Sequence, residues 1–528
     1  MIDRPRHGLF LISLSVLLLV VSFGGAWALA PTQQTDTNRP LVIGVQGPGD
    51  DGMVVSFDRN GTERWRYTSG VAYHDVSRLP NGSVLTAVLT EKRSDCGPYS
   101  PPCFHTGYRI ISPDPNPHVV EEWTFPVRTG LNSEVHDVEV LPSGNVVVAD
   151  MDAERVFVLN RSTERVVWQW NASSFYDPPA DPTRTDWLHI NDVDSLGDGR
   201  FLVSVRNEHQ LLVLNRSRNG VVEVINQNRS TDVLNAQHNP QWLGDGAVLV
   251  ADSENRRIVE FHRTGGEWRV AWTVRSANGV RFDWPRDADR LSNGHTLITD
   301  SRNNRIVEVD ERGETVSVSP TPPLPYEADD PRVGEPVTGP HRTNSQTADS
   351  GYHPSFPVFR TLLAATRDVV ALPFWVGELQ VASVFLSAGL ALLGVGRLSR
   401  STLRRFGRRW PPRDVPTDRL RAALGGVLAL SGLVLLIGTT IASPVTTLRL
   451  GVAGGALITS HRLVRDVEWL PPTVRQGLSI LAYVGALLGS TVLIRGAVVG
   501  QRANALLYAV LAAWIIGSAW GATFDESG

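Results

Sequence analysis

Four histidines, one asparagine and two arginines are the residues whose types and spacing could do chemistry: His74, His136, His189, His238, Asn191, Arg206 and Arg286. Five of them, His74, His136, Asn191, His238 and Arg286, open copies of one short pattern in which a leucine follows by five residues and a glycine by eight. Imidazoles supply a nucleophile or a proton carrier near neutral pH, an amide supplies a single donor, and a guanidinium supplies a planar two-pronged donor. Converging in one concave opening, these groups make a site for a tetrahedral oxyanion. Taken singly, each histidine reads as a strand-end residue bonded to neighbouring backbone. Convergence is what would turn them into a site.

Two further members lie off the pattern. His189 precedes Asn191 by two, a spacing that turns both side chains to the same face of a strand. Arg206 follows Val205, which stands where other copies carry Asp150, Asp252 and Asp300. Those aspartates read as turn or inter-blade hydrogen-bond residues rather than acids in catalysis, because they recur at equivalent places.

The elements that must hold these residues follow from the repeat. Its copies are His74-Asp-Val-Ser-Arg-Leu79-Pro-Asn-Gly82, His136-Asp-Val-Glu-Val-Leu141-Pro-Ser-Gly144, Asn191-Asp-Val-Asp-Ser-Leu196-Gly-Asp-Gly199, His238-Asn-Pro-Gln-Trp-Leu243-Gly-Asp-Gly246 and Arg286-Asp-Ala-Asp-Arg-Leu291-Ser-Asn-Gly294. Each reads as a strand, a polar-Gly turn and a second apolar strand, with third and fourth strands after it. Four antiparallel strands in a unit of 47 to 62 residues form the blade of an all-β propeller. The strands at 41–46, 53–58 and 62–67 precede the first copy, so they need help from the far end of the chain to complete a further blade. Six blades over residues 40–325 are expected. Trp168 and Trp272 on fourth strands read as blade packing. Trp187, Trp242 and Trp284 lie near the mouth segments and are candidates to hold an aromatic ring. A Pro-, Asp-, Thr- and Ser-rich linker occupies 326–370.

The ends of the chain have a different composition. Residues 8–30 carry no charge and come after Arg4 and Arg6, which fits a transmembrane anchor or, since the segment closes on Ala28-Leu29-Ala30, a cleaved signal. Either exports the chain beyond residue 30. Within 371–528, apolar stretches at 374–395, 422–442, 448–459, 477–494 and 503–520 read as an α-helical transmembrane domain of four or five helices. Nine arginines between positions 397 and 421 hold that loop on the cytoplasmic side, which places the propeller outside in a multi-pass cell-membrane protein in contact with lipid. Six Asn-x-Ser/Thr sequons, at Asn60, Asn81, Asn160, Asn171, Asn215 and Asn228, all precede the linker and fit an exported glycoprotein. The only cysteines, Cys96 and Cys103, could close a small loop as a disulfide, and two cysteines argue no zinc site. A net charge of −4 with no basic stripe sets nucleic acid aside, and no phosphate-cradling Gly-Lys-Ser/Thr loop is present, so neither a cofactor nor a metal is expected. Glu378 is the clearest charge within an apolar stretch, which gives a transporter little support.

Those motifs resemble a known family. The order His136-Asp-Val, then His189-x-Asn191-Asp-Val with Arg206 after it, then Gln237-His238-Asn239, is similar to that of the PAPS-independent arylsulfate sulfotransferases, exported six-bladed propellers. The resemblance implies ping-pong transfer of a sulfuryl group from an aryl sulfate donor to a phenolic acceptor through a sulfohistidine. It makes His238 the nucleophile, and His136, His189, Asn191 and Arg206 the sulfuryl-binding and acid/base group. His74 and Arg286 join them as substrate-binding residues by their place in the repeat. The membrane part lies outside the resemblance. A ligand-binding or sensory propeller with the arginine-rich loop as its output, and a structural cell-surface propeller, are the other readings.

Overall fold

The computed structural model describes residues 4–31, then 39–342 apart from positions 48, 131, 183–185, 245 and 337, then 346–348, 357–368 and 372–405. The chain forms two units, one of Pro31–His353 and one of Met1–Ala30 with Pro354–Gly528.

The repeat's leucine and glycine have a shared physical cause. The leucine carbonyl accepts the glycine N–H three residues on, at Leu79–Gly82, Leu141–Gly144 and Leu291–Gly294. All five pattern glycines sit at φ between +70° and +95°, a left-handed conformation that costs a residue with a Cβ. Each turn returns the chain antiparallel, and among the described residues the larger unit carries six sheets of this kind as six blades.

Period-two alternation then builds the core. In the strand Val146–Asp150, Val146 and Val148 enter one apolar cluster while Val147 and Ala149 enter the next. Both faces of a blade are therefore buried, and six apolar wedges separate successive blades around the circle. Trp272 is buried in one wedge and Trp168 packs against another, as blade packing requires. The circle closes where the chain's far end returns: Pro325–Asp329 pairs antiparallel with Leu41–Val45 as the innermost strand of the first blade. This strand straddles residue 325, where the composition changes. The chain beyond it stays on the propeller, with Gln346–Ala348 adding a parallel fifth strand to Glu267–Val274. A buried ion pair between Arg290 and Glu260, 2.9 Å apart, also receives the Arg342 N–H on its carboxylate and donates to the Pro340 carbonyl. Cys96 and Cys103 are joined as a disulfide.

Each innermost strand carries an irregularity at the same place. The register skips one residue at His136, at Asn191, at Arg286 and at Tyr326, and it shifts across His74–Asp75 and just after His238. The first residue of the repeat pattern thus lies in or beside a β-bulge in blade after blade, which re-aims its side chain away from ordinary alternation.

The pattern's second residue closes the circle electrostatically. The inner edge of each innermost strand has backbone N–H groups without a ladder partner. The Val138 N–H donates to the Asp75 carboxylate at 3.3 Å, the Val193 N–H to Asp137 at 2.6 Å, the Ala328 N–H to Asp287 at 3.3 Å and the Val76 N–H to Glu327 at 3.4 Å. Burial, reinforced by neighbouring carboxyls such as Glu335, pushes Asp137 up to about 8 and Asp287 to about 7.

The smaller unit holds the helices Arg4–Leu29 and Glu378–Arg405. Among the described residues one helix, over Phe10–Leu29, is long and apolar enough to cross a membrane, with a mean hydropathy of 2.2. The polarity of the helix pair is inside out: Val16, Leu17, Val20, Phe385, Leu386 and Leu393 are exposed, while the Ser387 hydroxyl donates to the Ser15 carbonyl at 3.0 Å and Gln380 to the Ser22 carbonyl at 3.2 Å. Glu378, read from sequence as a charge within a span, instead opens its helix and so stands at its end. The stretches at 422–442, 448–459, 477–494 and 503–520 lie outside the described residues.

Candidate functional site

The six bulges bring their side chains to one end of the central channel. His74 stacks on His136 with ring centroids 4.4 Å apart, and His136 lies 5.2 Å from His189. Tyr326 occupies the middle: its ring is 5.0 Å from His74, 5.4 Å from His136 and 6.0 Å from His238. Arg286 holds its guanidinium 4.5 Å from the Tyr326 ring and donates to the Gln46 side chain at 2.5 Å. Asn191 is fully buried and spends its amide N–H on the Gln237 carbonyl at 2.9 Å, so it ties its strand to the one bearing His238. Arg206 lies in the cluster's electrostatic reach, acting on both His189 and His238. His74, His136, His238, Asn191, Arg286 and Tyr326 are buried, whereas His189 and Arg206 are half-buried.

His189 reaches the cluster by another route than the one read from the sequence. The strand begins at Ile190, so His189 does not share a strand face with Asn191. It stands at φ +57°, just before the strand. The Glu154 carboxylate holds this left-handed turn by accepting three successive N–H groups, from Leu188 at 3.0 Å, His189 at 2.9 Å and Ile190 at 3.2 Å. The ring is set by Asp186, whose carboxylate lies 2.7 Å from Nδ1.

Asp150, Asp252 and Asp300 act as turn and bracing residues. Each pairs with an arginine five residues on, Arg155, Arg257 and Arg305, at 2.6–2.7 Å. Two of them also brace the loops leading into the site, accepting the N–H of Asn235 at 2.7 Å and of Asp283 at 2.8 Å. In the fourth blade Val205 and Gln210 replace this pair, and Arg206 takes the blade position held elsewhere by Ser253 and Ser301.

The electrostatics keep the imidazoles neutral. Burial and then the Arg286 charge bring His74 down to about 3, and burial with Arg286 and Arg206 holds His238 well below its ordinary range. Burial also lowers His189, with the Asp186 carboxylate working against it. Asp186 itself is raised by burial but brought below its ordinary value by the His189 hydrogen bond and charge. The site is therefore a set of neutral rings in the field of two guanidinium groups, which suits an incoming anion. Among the described residues, no three His, Cys, Asp or Glu side chains are grouped as metal ligands.

Of the three tryptophans, Trp187 and Trp242 pack against the apolar wedges. Only Trp284 joins the cluster, its ring 6.0 Å from His238. The guanidinium carbons of Arg286 and Arg302 stand 3.7 and 3.9 Å from its centroid, and two planar cations at that distance have room only on opposite faces. Both faces being covered, Trp284 is no platform for a phenyl ring.

Sequence reasoning missed Tyr326, Asp186, Glu154 and Ser253. Tyr326-Glu327-Ala328 opens a sixth copy of the pattern with Gly334 eight residues on at φ +77°, but Pro331 stands where the other copies carry leucine, and the Gly334 N–H bonds to the Asp330 carbonyl. The repeat also held a signal for Ser253, seven residues after Gly246 as Arg206 is seven after Gly199.

No protein-family model matches the chain, and no curated protein matches it. Solved structures do. A protein of unknown function from Bacteroides caccae is 15% identical with a TM-score of 0.39, covering 53% of this chain and 93% of its own. A putative 6-phosphogluconolactonase from Bacteroides fragilis is 12% identical with a TM-score of 0.36, covering 56% and 85%. A catalytically inactive virginiamycin B lyase from Staphylococcus aureus, with quinupristin, is 11% identical with a TM-score of 0.34, covering 55% and 87%.

Proposed function

We propose that the protein transfers a sulfuryl group from a phenolic sulfate ester to an acceptor phenol through a sulfohistidine at His238, as the resemblance to the arylsulfate sulfotransferases implies. The observation that carries this reading is the convergence of a neutral His238, two guanidinium groups and the Asp186–His189 pair at one channel mouth.

In the first half-reaction an N–S bond forms between an imidazole nitrogen of His238 and the sulfur as the aryl O–S bond breaks. The electron pair of that bond leaves on the phenolate oxygen, and His189, which first takes up a proton from solvent against the burial that lowers its affinity and with Asp186 as its counter-charge, gives the phenolate that proton. The acceptor phenol then returns a proton to His189 while its oxygen attacks sulfur and the N–S bond breaks. Charge on the three sulfuryl oxygens is met by Arg206 and Arg286, placed before the reaction begins. Incubating the chain with phenyl sulfate and no acceptor should leave a sulfuryl group on the peptide containing His238, seen by mass spectrometry, and added phenol should discharge it. A donor that binds without labelling His238 would favour the sensory propeller instead.

We also propose that the propeller stands outside the cell on a multi-pass membrane part whose N-terminal helix is retained as an anchor. The supporting observation is the inside-out polarity of the helix pair Arg4–Leu29 and Glu378–Arg405, with serine and glutamine bonded between the helices and apolar side chains exposed as toward lipid. The intact mass of the detergent-extracted chain should include residues 1–30. A mature end at Pro31 would overturn the anchor.

A further inference from the structure

We propose that Ser253 is a positioning residue for His238, fixing the neutral ring as the Nδ1–H tautomer and leaving Nε2 as the nitrogen with a free lone pair. The consequence for rate rests on His238 being the attacking group, but the tautomer does not.

The protons can be counted. A neutral imidazole carries one N–H, and a serine hydroxyl has one proton to donate. His238 Nδ1 lies 2.8 Å from the Ser253 hydroxyl oxygen. That oxygen also lies 2.7 Å from the Pro285 carbonyl and 3.3 Å from the Ala251 carbonyl, and a carbonyl can only accept. The hydroxyl proton therefore goes to a carbonyl, and toward His238 the serine presents a lone pair. Nδ1 must then bear the ring's proton. Both residues are 1% exposed, so bulk water does not compete for these bonds.

The arrangement separates two histidines that stand at one mouth. His189 is backed by a carboxylate, which raises its affinity for a proton and suits it to carry one. His238 is backed by a neutral hydroxyl whose own donor is spent and by a backbone hydrogen bond at Ala236, which fix its orientation without adding negative charge. The Pro285 carbonyl belongs to the next blade's innermost strand, beside Arg286, so the chain from ring to serine to carbonyl also ties His238 to the strand bearing the guanidinium.

The test is histidine-selective ¹⁵N NMR of the full-length chain in detergent, with His238→Gln identifying the His238 signals. The wild type should show a protonated Nδ1 and an unprotonated Nε2, Ser253→Thr should keep that pattern, and Ser253→Ala should move the proton toward Nε2. An Nε2–H wild type, or a folded Ser253→Ala protein with unchanged tautomer, would overturn the proposal. With phenyl sulfate as donor and phenol as acceptor, Ser253→Ala should lower kcat by about 10- to 100-fold with little change in KM, and threonine should recover most of the loss. A wild type with the stated tautomer but no turnover would sink the sulfuryl-transfer reading and leave the role of Ser253 standing.

Discussion

Replacing His238 by alanine is expected to lower the turnover of phenyl sulfate with phenol by roughly 10⁴-fold or more, because no other group can hold the sulfuryl between the two half-reactions. His136 and His74 are poorly placed to substitute: His136 has its Nδ1 2.6 Å from the Tyr326 hydroxyl, and His74 is fully buried and stacked on His136. Adding Ser253→Ala to His238→Ala should cost nothing more, since the serine acts only through the ring it orients. Asp186→Asn, which keeps the shape of the side chain, should lower kcat by about 10² to 10⁴, the range open to a general acid–base group. That loss should be smallest for nitrophenyl sulfates, whose phenolates leave without a proton. Steady-state kinetics on the purified full-length chain reads all three, with circular dichroism confirming that each variant is folded. Turnover by His238→Ala within tenfold of wild type would end the sulfohistidine mechanism.

The second large effect concerns stability. Asp137 shifts from 3.8 to about 8 in the folded protein, driven first by burial and then by Glu335. Between those values the folded chain holds a proton that the unfolded chain has released, so stability falls as pH rises through this window and levels off above it. Each pH unit costs about 1.4 kcal/mol for one such carboxyl, so Tm should fall by about 5 °C or more between pH 5 and pH 7.5. Glu139 and Asp287, pushed to about 8 and about 7, act in the same direction. Asp137→Asn keeps an oxygen for the Val193 N–H while removing the ionisation. It should raise Tm at pH 8, change it little at pH 5 and give a shallower slope, as followed by tryptophan fluorescence during thermal unfolding. Parallel curves for the two proteins would show that Asp137 does not titrate in this range.

The two effects come from adjacent residues of one repeat pattern. The first residue sits in the bulge and turns toward the site, whereas the second holds the neighbouring blade by a backbone N–H. His136 and Asp137 divide these tasks in the third blade, and Tyr326 and Glu327 divide them in the closing one. A ring of chemically useful side chains is thus built on a ring of buried carboxyls. The stability lost at high pH is a result of that construction.

By itself the sequence determined the blade and its count. The leucine–glycine turns and alternating valines are local signals, set by backbone sterics and by the two buried faces of each strand, and they repeat often enough to be read without a structure. It also determined which side chains gather at one end, since equivalent positions of a closed repeat must meet there. Only the tertiary structure decided how they are presented. The bulges break the alternation that placed His189 and Asn191 on one face, and Glu154, from the preceding blade, supplies the carboxylate that holds His189 in its left-handed turn. Ser253 became visible once the Pro285 carbonyl was seen beside it, because a hydroxyl's direction depends on partners 15 and 32 residues away along the chain. Tyr326 was hidden because Pro331 replaces the leucine of its copy, and because its strand pairs with Leu41–Val45, across almost the whole propeller, and not with a strand that follows its own turn.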